Sequence, residues 1–230
     1  KHPQQFLKNF TGYLQTDAYK GYYGLYTDDA KNIVVIPVFC MAHCRRRFFT
    51  IAEKTTIHGL ANIALEYINS LYVIESQIKA LTTDEKFKVR QGKAIPILSE
   101  FYGWLADVQK TVMPKTELYE AVSYPLNHQK ALTNYCLDGN LEIDNNRAEQ
   151  KMKGPVLGRK NYMFFGSERG GKAAAIYYSF IESCKENNIS PAVWLADVIP
   201  KLHYYKINEI DELLPHNWAK KLSQHSTIAA

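Results

Sequence analysis

The chain has 230 residues, 46% hydrophobic and 22% charged, with a formal net charge of +5 and a pI near 8.8. That composition supports a packed core and excludes a disordered polymer, and no run of about 18 apolar residues exists to span a membrane. The mild positive balance suits a polyanionic partner and equally a basic enzyme that never meets nucleic acid. Four cysteines, Cys40, Cys44, Cys136 and Cys184, show no disulfide spacing, so a reducing cytoplasm is expected. The opening Lys1-His2-Pro3-Gln4-Gln5 carries neither an apolar signal core nor an initiator Met, and the chain is expected to begin inside a longer protein.

Gly12 to Thr16 reads as a short strand ending at Asp17, followed by a short helix over Ala18 to Leu25 and a polar turn over Thr27 to Asn32. Ile33 to Phe39 is continuous and β-branched, a buried strand that Pro37 confines to a sheet edge. From Ala42 to Leu137 the pattern is helical. Ala64, Ile68, Leu71, Ile74, Ile78 and Leu81 recur at three- and four-residue steps, as do Ala94, Leu98, Phe101, Leu105, Val108 and Val112. Two such stripes predict a helical hairpin or small bundle punctuated at Gly92 and Pro114.

Asp138-Gly139-Asn140 reads as a turn. Asp144 is a good cap for a helix running to Lys153, stopped by Gly154-Pro155. Asn161 to Phe165 reads as extended. Gly170-Gly171 precedes a helix over Lys172 to Glu186, closed by Asn187-Asn188, and Ser190-Pro191 opens another to Leu202. The fold class is therefore α/β with a large all-α insertion, mainly helical overall. Residues 1–41 hold strand-helix-strand, 42–137 the insertion, 138–203 the next helices and 204–230 a tail.

Asp17 sits at the carboxyl end of a predicted strand, the edge where open α/β sheets bind ligands, although a plain turn or cap aspartate would read the same way. On a helix begun at Asp144, Asn145 and Lys153 lie four residues either side of Glu149 and share its face. That suits a metal bridging to phosphate, against the plainer alternative of a solvated Glu–Lys pair. Cys40-x-x-His43-Cys44 offers three soft ligands for zinc without a second pair at finger spacing, so packing just past the strand is the preferred reading. Arg45-Arg46-Arg47 is either a solvated helix face or a phosphate contact. Lys151, Lys153, Arg159, Lys160, Arg169 and Lys172 crowd around Glu149 in sequence, which favours DNA. Gly170-Gly171-Lys172 would open a helix able to take a phosphate at its N-terminus. Tyr19, Tyr22 and Tyr23 read as core rather than base-stacking residues.

Several ordered segments resemble the insertion-sequence-sixty-six family of transposases. They are Leu-Gln-Thr-Asp-Ala-Tyr-Lys-Gly-Tyr (14–22), Cys-Met-Ala-His-Cys-Arg-Arg-Arg-Phe-Phe (40–49) and Leu-Glu-Ile-Asp-Asn-Asn-Arg-Ala-Glu (141–149). Leu-Gly-Arg-Lys-Asn-Tyr (157–162), Phe-Gly-Ser-Glu-Arg-Gly-Gly (165–171) and Leu-Leu-Pro-His-Asn-Trp (213–218) follow. The resemblance implies part of an RNase H-like fold with a DDE metal site: Asp17 as the second acid and Glu149 as the third. Two Mg²⁺ or Mn²⁺ ions would be held there, with His43, Asn145 and Asn146 in support and Arg45 and Arg46 among the DNA contacts. The family's first Asp would lie upstream, so this span alone is expected not to cleave DNA. One departure is Gly154 before Pro155, where the family usually has Pro directly after the basic residue. Implied partners are transposon ends and target DNA, further copies of the chain and accessory proteins of the element. The rival readings are a non-catalytic DNA-binding remnant and a helical interaction module.

Overall fold

The computed structural model describes residues 2–26, 35–54 and 56–228. The polar turn expected at 27–32 and the first two residues of the second expected strand lie outside these. Helix accounts for 71% of the residues. The strands among the described residues, β1 (Gly12–Thr16) and β2 (Val35–Phe39), pair in parallel. The chain is thus mainly helical with a small sheet. It divides into two compact units, Lys1–Arg147 and Ala148–Ala230.

In the first unit β1 and β2 run in register Gly12 with Val35 to Thr16 with Phe39, which places Leu14 opposite Pro37. Pro37 has no N–H to give an outer neighbour, and its carbonyl accepts instead from the Asn134 side-chain amide at 2.8 Å. Between the strands the expected helix is a 3-10 turn, Lys20–Leu25. Tyr19 and Tyr23 are exposed rather than core. Tyr19 makes an edge contact with Tyr22, and Tyr23 stacks on Phe39. The short segment anchors only Leu25 in the interior, so most of its rings stay on the surface.

Helix α2 (Met41–Ala52) leaves the end of β2 and packs on α3 (Leu60–Ile78) and α6 (Glu117–Asn127). The α3 stripe Ala64, Ile68, Leu71, Ile74 and Ile78 is buried as its spacing requires, while Leu81 falls beyond the helix and is exposed. Its partner α5 (Ile95–Thr111) buries Leu98, Phe101, Leu105 and Val108. Each such side chain contributes about 1.5–3 kcal/mol. Gly92 does not break the run. Helix α4 (Thr83–Val89) passes through one π-helical turn, Arg90–Ala94, directly into α5. Pro96 cannot donate to a carbonyl in the preceding turn, and a widened turn accommodates a proline inside a continuous helix.

That widened turn carries the fully buried Arg90. Its guanidinium meets both carboxylate oxygens of Glu75, at 2.9 and 2.7 Å, and donates to the carbonyls of Tyr135, Asp138 and Leu141. The short α7 (Gln129–Thr133) and the 3-10 turn Asn134–Leu137 lead into those carbonyls.

Two glycine-rich sites depart from the sequence expectation. Gly154-Pro155 does not end a helix: α8 (Asn146–Lys151) closes first, and both residues sit in the opening turn of α9 (Lys153–Tyr162). A first turn needs no N–H from proline. With a new helix begun, Lys153 no longer shares the helix of Glu149, and Asn145 lies before its start. Residues expected to be extended at Asn161 and Tyr162 complete α9 instead. Helix α10 (Glu168–Glu186) begins a turn earlier than expected, because the Ser167 hydroxyl caps it by accepting from the Gly170 N–H at 3.0 Å. Gly158 marks a close approach: a Cβ there would meet the Tyr178 hydroxyl at 2.6 Å, and Tyr178 in turn bonds Tyr162 at 3.3 Å.

The core of the second unit gathers Cys184, Trp194, Val198, Leu213 and Trp218 from α10, α11 (Pro191–Lys201), the 3-10 turn Ile207–Leu213 and α12 (Pro215–Ile228). Both indoles are satisfied, Trp194 by the Leu213 carbonyl and Trp218 by Asp197.

Arg90→Met should cost about 3–5 kcal/mol in chemical denaturation, because it strands the Glu75 carboxylate. Adding Glu75→Leu should recover part of that loss; equal, additive losses would contradict the pairing. A second outcome concerns acid. Lys201, then the Trp218 indole, hold the Asp197 carboxyl below its usual range. Its contribution is therefore complete above the unfolded carboxyl pKa of about 3.9 and disappears as pH falls through the lower folded value. Tryptophan fluorescence over an acid titration should show this loss, and Asp197→Asn should flatten it.

Candidate functional site

Asp17 is the first residue after β1 and is exposed. A sharp turn holds it: Ala18 takes a left-handed φ of 64°, the Tyr19 N–H donates to Asp17 Oδ1 at 3.1 Å, and the Ala18 N–H reaches Thr16 Oγ1, itself bonded to the Tyr26 hydroxyl at 2.8 Å. Left-handed backbone at a non-glycine residue costs energy and persists where its surroundings enforce it.

The segment after Leu141 is fastened across the carboxyl ends of both strands. Gln15 Nε2 donates to the carbonyls of Glu142 and Asp144 at 2.7 and 2.9 Å. From the start of α2 the Met41 N–H reaches the Ile143 carbonyl at 3.0 Å, and the Asn145 N–H reaches Cys40 Sγ. The Asp144 carboxylate accepts from the Tyr72 hydroxyl, the Asn146 N–H and the Asn146 side-chain amide. Asn145 Oδ1 is buried without a hydrogen-bond partner. Helix α8 thus starts from a point tied two residues short of Asp17 on the neighbouring strand.

Helix α2 presents three stripes. Met41, Cys44 and Phe48 face the core. His43, Arg46, Arg47 and Thr50 line a cleft of about 270 Å³ together with Asp17 and Tyr124. Ala42, Arg45, Arg46 and Phe49 line a second cleft of about 430 Å³ with Asn69, Tyr72 and Asn146. The Arg47 guanidinium lies 4.2 Å from the centre of the Tyr124 ring. Cys40 and Cys44 are core groups: burial pushes both thiols up, Cys44 to about 12, whereas a zinc ligand needs a thiolate.

The remaining sequence candidates belong to the second unit, Glu149 in α8 among them. Lys153, Arg159, Lys160, Arg169 and Lys172 are exposed. Lys151 is engaged by Glu182 at 3.4 Å and by Glu186, and Lys172 by Glu168 at 2.9 Å. The glycine pair at 170–171 lies inside α10, whose first turn is already capped by Ser167. The sequence reading missed Gln15, Thr50, Asn69, Tyr72 and Tyr124. Thr50 alone had a local signal, seven residues after His43 on the same face; the others meet the site only through the tertiary fold.

The family model described as transposase IS66 family matches residues 1–173, and that of the IS66 C-terminal element matches 179–216. The chain belongs to the IS66 family of transposases. Among curated proteins it is 32% identical to y4hP of Sinorhizobium fredii, covering 100% of this chain and 44% of that protein. It is also 32% identical to y4jD of the same organism, over 95% of this chain and 43% of that protein. The IS66 chain described here therefore spans less than half the length of these relatives. No solved structure matches it.

IS66 membership implies divalent metal use in general terms. Asp17 fits as one hard oxygen ligand, exposed and fixed by its turn. Among the described residues no group of three or more His, Cys, Asp and Glu side chains converges. No helix among the described residues is long and apolar enough to cross a membrane.

Gln15→Leu should release the Glu142–Asp144 segment, costing roughly 1–3 kcal/mol for two hydrogen bonds. Hydrogen exchange at the Asn145 and Asn146 amides should accelerate, and unchanged exchange would show that Gln15 does not hold the segment.

Proposed function

We propose that the chain is the catalytic part of an enzyme that cleaves and joins DNA strands during transposition of a bacterial insertion sequence. The observation that supports this best is the placement of Asp17. Its exposed carboxylate sits at a strand end in a cleft that also carries His43, Arg46 and Arg47, with Thr50 and Tyr124 completing the lining. For a module that only holds DNA, an acid among arginines repels the phosphate the arginines attract. With a divalent cation present the sign inverts, because the acid recruits the ion that a phosphate also seeks.

In this reading Asp17 from segment 1–41 and Glu149 from segment 138–203 would each supply a carboxylate for binding Mg²⁺ or Mn²⁺. The helices of 42–137 form an insertion between them, within an RNase H-like arrangement. When bound, such ions supply activation of the attacking oxygen and neutralisation of the leaving one. The protein's own part is to position. Arg46 and Arg47 hold the phosphodiester in the cleft, Thr50 lies beside them, and His43 faces the reacting group. Lys153, Arg159, Lys160 and Arg169 contact more distant phosphates, and Asn145 and Asn146 brace the start of the Glu149 helix. No Asp or Glu precedes Asp17 in this chain, so the first acid of the family's set is absent from this span. The purified chain is expected to bind DNA and not to nick it.

Two measurements test the reading. Asp17→Asn should tighten DNA binding severalfold in the presence of a chelator and abolish any gain from added Mg²⁺. Mn²⁺ titration calorimetry should show weaker binding for both Asp17→Asn and Glu149→Gln. If neither substitution alters Mn²⁺ affinity, the metal assignment is wrong. DNA binding that persists in that case leaves the non-catalytic DNA-binding remnant. No DNA affinity even at low salt leaves a helical interaction module.

A further inference from the structure

The second cleft along α2 has no part in the chemistry assigned to Asp17, yet it is built with similar care. Arg45 is its anchor. The guanidinium Nε–H donates to Asn69 Oδ1 at 3.3 Å, and the group lies 5.3 Å from the centre of the Phe49 ring. One edge is tied and one face is covered, which leaves the terminal nitrogens to the cleft. An arginine fixed in this way loses little conformational freedom on binding an anion. Around it the wall carries the Tyr72 ring, the amides of Asn69 and Asn146, and Arg46, which lines both clefts. Asp144 borders this wall and accepts three hydrogen bonds from Tyr72 and Asn146; these neutral donors occupy its oxygens and leave its single negative charge, against which the cleft sets both Arg45 and Arg46.

Helix periodicity explains the pairing. The residues at 43, 46, 47 and 50 and those at 42, 45, 46 and 49 are neighbouring stripes of one helix surface. A DNA strand that leaves one phosphate on the first stripe and crosses the helix passes Arg46 on the ridge and then reaches Arg45.

We infer that the Arg45–Asn69–Phe49 cleft is a separate phosphodiester subsite for DNA. It holds a phosphate that flanks the one at Asp17, with Arg46 on the ridge between them. The inference rests on the DNA reading above and goes beyond it by assigning two distinct phosphates to the two sides of α2. Asn69 and Phe49 are then positioning residues, acting through Arg45.

The test is fluorescence anisotropy with a labelled duplex of arbitrary sequence, titrated over a range of salt. Arg45→Ala should weaken binding and reduce the salt slope by about one phosphate contact, a slope change of roughly 0.9. Asn69→Ala should weaken binding while leaving the slope nearly unchanged, because the charge remains and only its orientation is lost. Arg47→Ala, on the other side, should remove its own increment, and the Arg45/Arg47 double variant should show the sum of the two losses. If the double variant is no weaker than the worse single variant, both arginines share one phosphate and the second subsite does not exist. If Arg47→Ala weakens binding and Arg45→Ala leaves affinity and slope intact, the subsite is likewise excluded while the DNA reading stands. Failure of the wild-type chain to bind at low salt overturns both.

Discussion

The buried Arg90–Glu75 pair is the constraint on which the first unit depends. A guanidinium with 2% of its side chain exposed survives in a protein interior only when its donors are matched. Here two match a carboxylate and others match carbonyls at Tyr135, Asp138 and Leu141. Those three carbonyls belong to the chain just before Asp144. The pair therefore does more than hold two helices together: it sets the position from which the next segment crosses the strand ends. Gln15, Met41 and Cys40 then fasten that segment. The helical part of the molecule and the two-stranded sheet are joined by polar contacts whose geometry is specific, in addition to an apolar core that tolerates more variation.

A consequence is that α2 can be amphipathic in an unusual way. Its core stripe needs only Met41, Cys44 and Phe48, since the β2 end, α3 and α6 already enclose it. The remaining surface is free to carry three consecutive arginines. Consecutive cations on a helix repel one another and are tolerable where each finds a different environment. Arg45 finds Asn69 and Phe49, Arg47 finds the Tyr124 ring, and Arg46 stays in solvent between them. The charge run is thus divided among three surroundings rather than left as one solvated patch.

Much of this was legible in the sequence where the signal was periodic. The stripes on α3 and α5, the strand at 12–16 and the edge character of Pro37 follow from spacing and from the missing proline N–H. The errors share a cause. The sequence punctuates the helices at Gly92, stops one at Gly154-Pro155 and begins one only after Gly170-Gly171, because glycine and proline interrupt helices in isolation. In the structure a π turn absorbs the first, a helix start absorbs the second, and a serine cap three residues upstream absorbs the third. The role of Arg90 was illegible for a different reason. An arginine between Val89 and Gln91, in a stretch that also carries Lys86, Lys88 and Lys93, looks like any solvated arginine, and only the tertiary approach of Glu75 and the 135–141 segment reveals its burial. Gln15, Asn69 and Tyr124 were invisible in the same sense, since each acts across a long separation in sequence.

The placement of Glu149 turns on the shortness of α8. A helix of six residues cannot hold itself in water, where nucleation is costly and each added residue returns little. Its orientation must come from what fixes its ends. At the start, the Asp144 carboxylate accepts the Asn146 N–H, and Asp144 itself is tied by Tyr72 and Gln15. At the finish, Lys151 is held by Glu182 and Glu186 of α10. This changes what Lys151 can do. A lysine already matched by two carboxylates gains little from a phosphate, because approach of the phosphate brings it near those same acids. Its service is to align the helix, whereas Lys153, Arg159, Lys160 and Arg169 stand exposed on the elements that follow. With its first free N–H taken by Asp144 and its last turn ion-paired to α10, so short a helix keeps its form without relying on propagation.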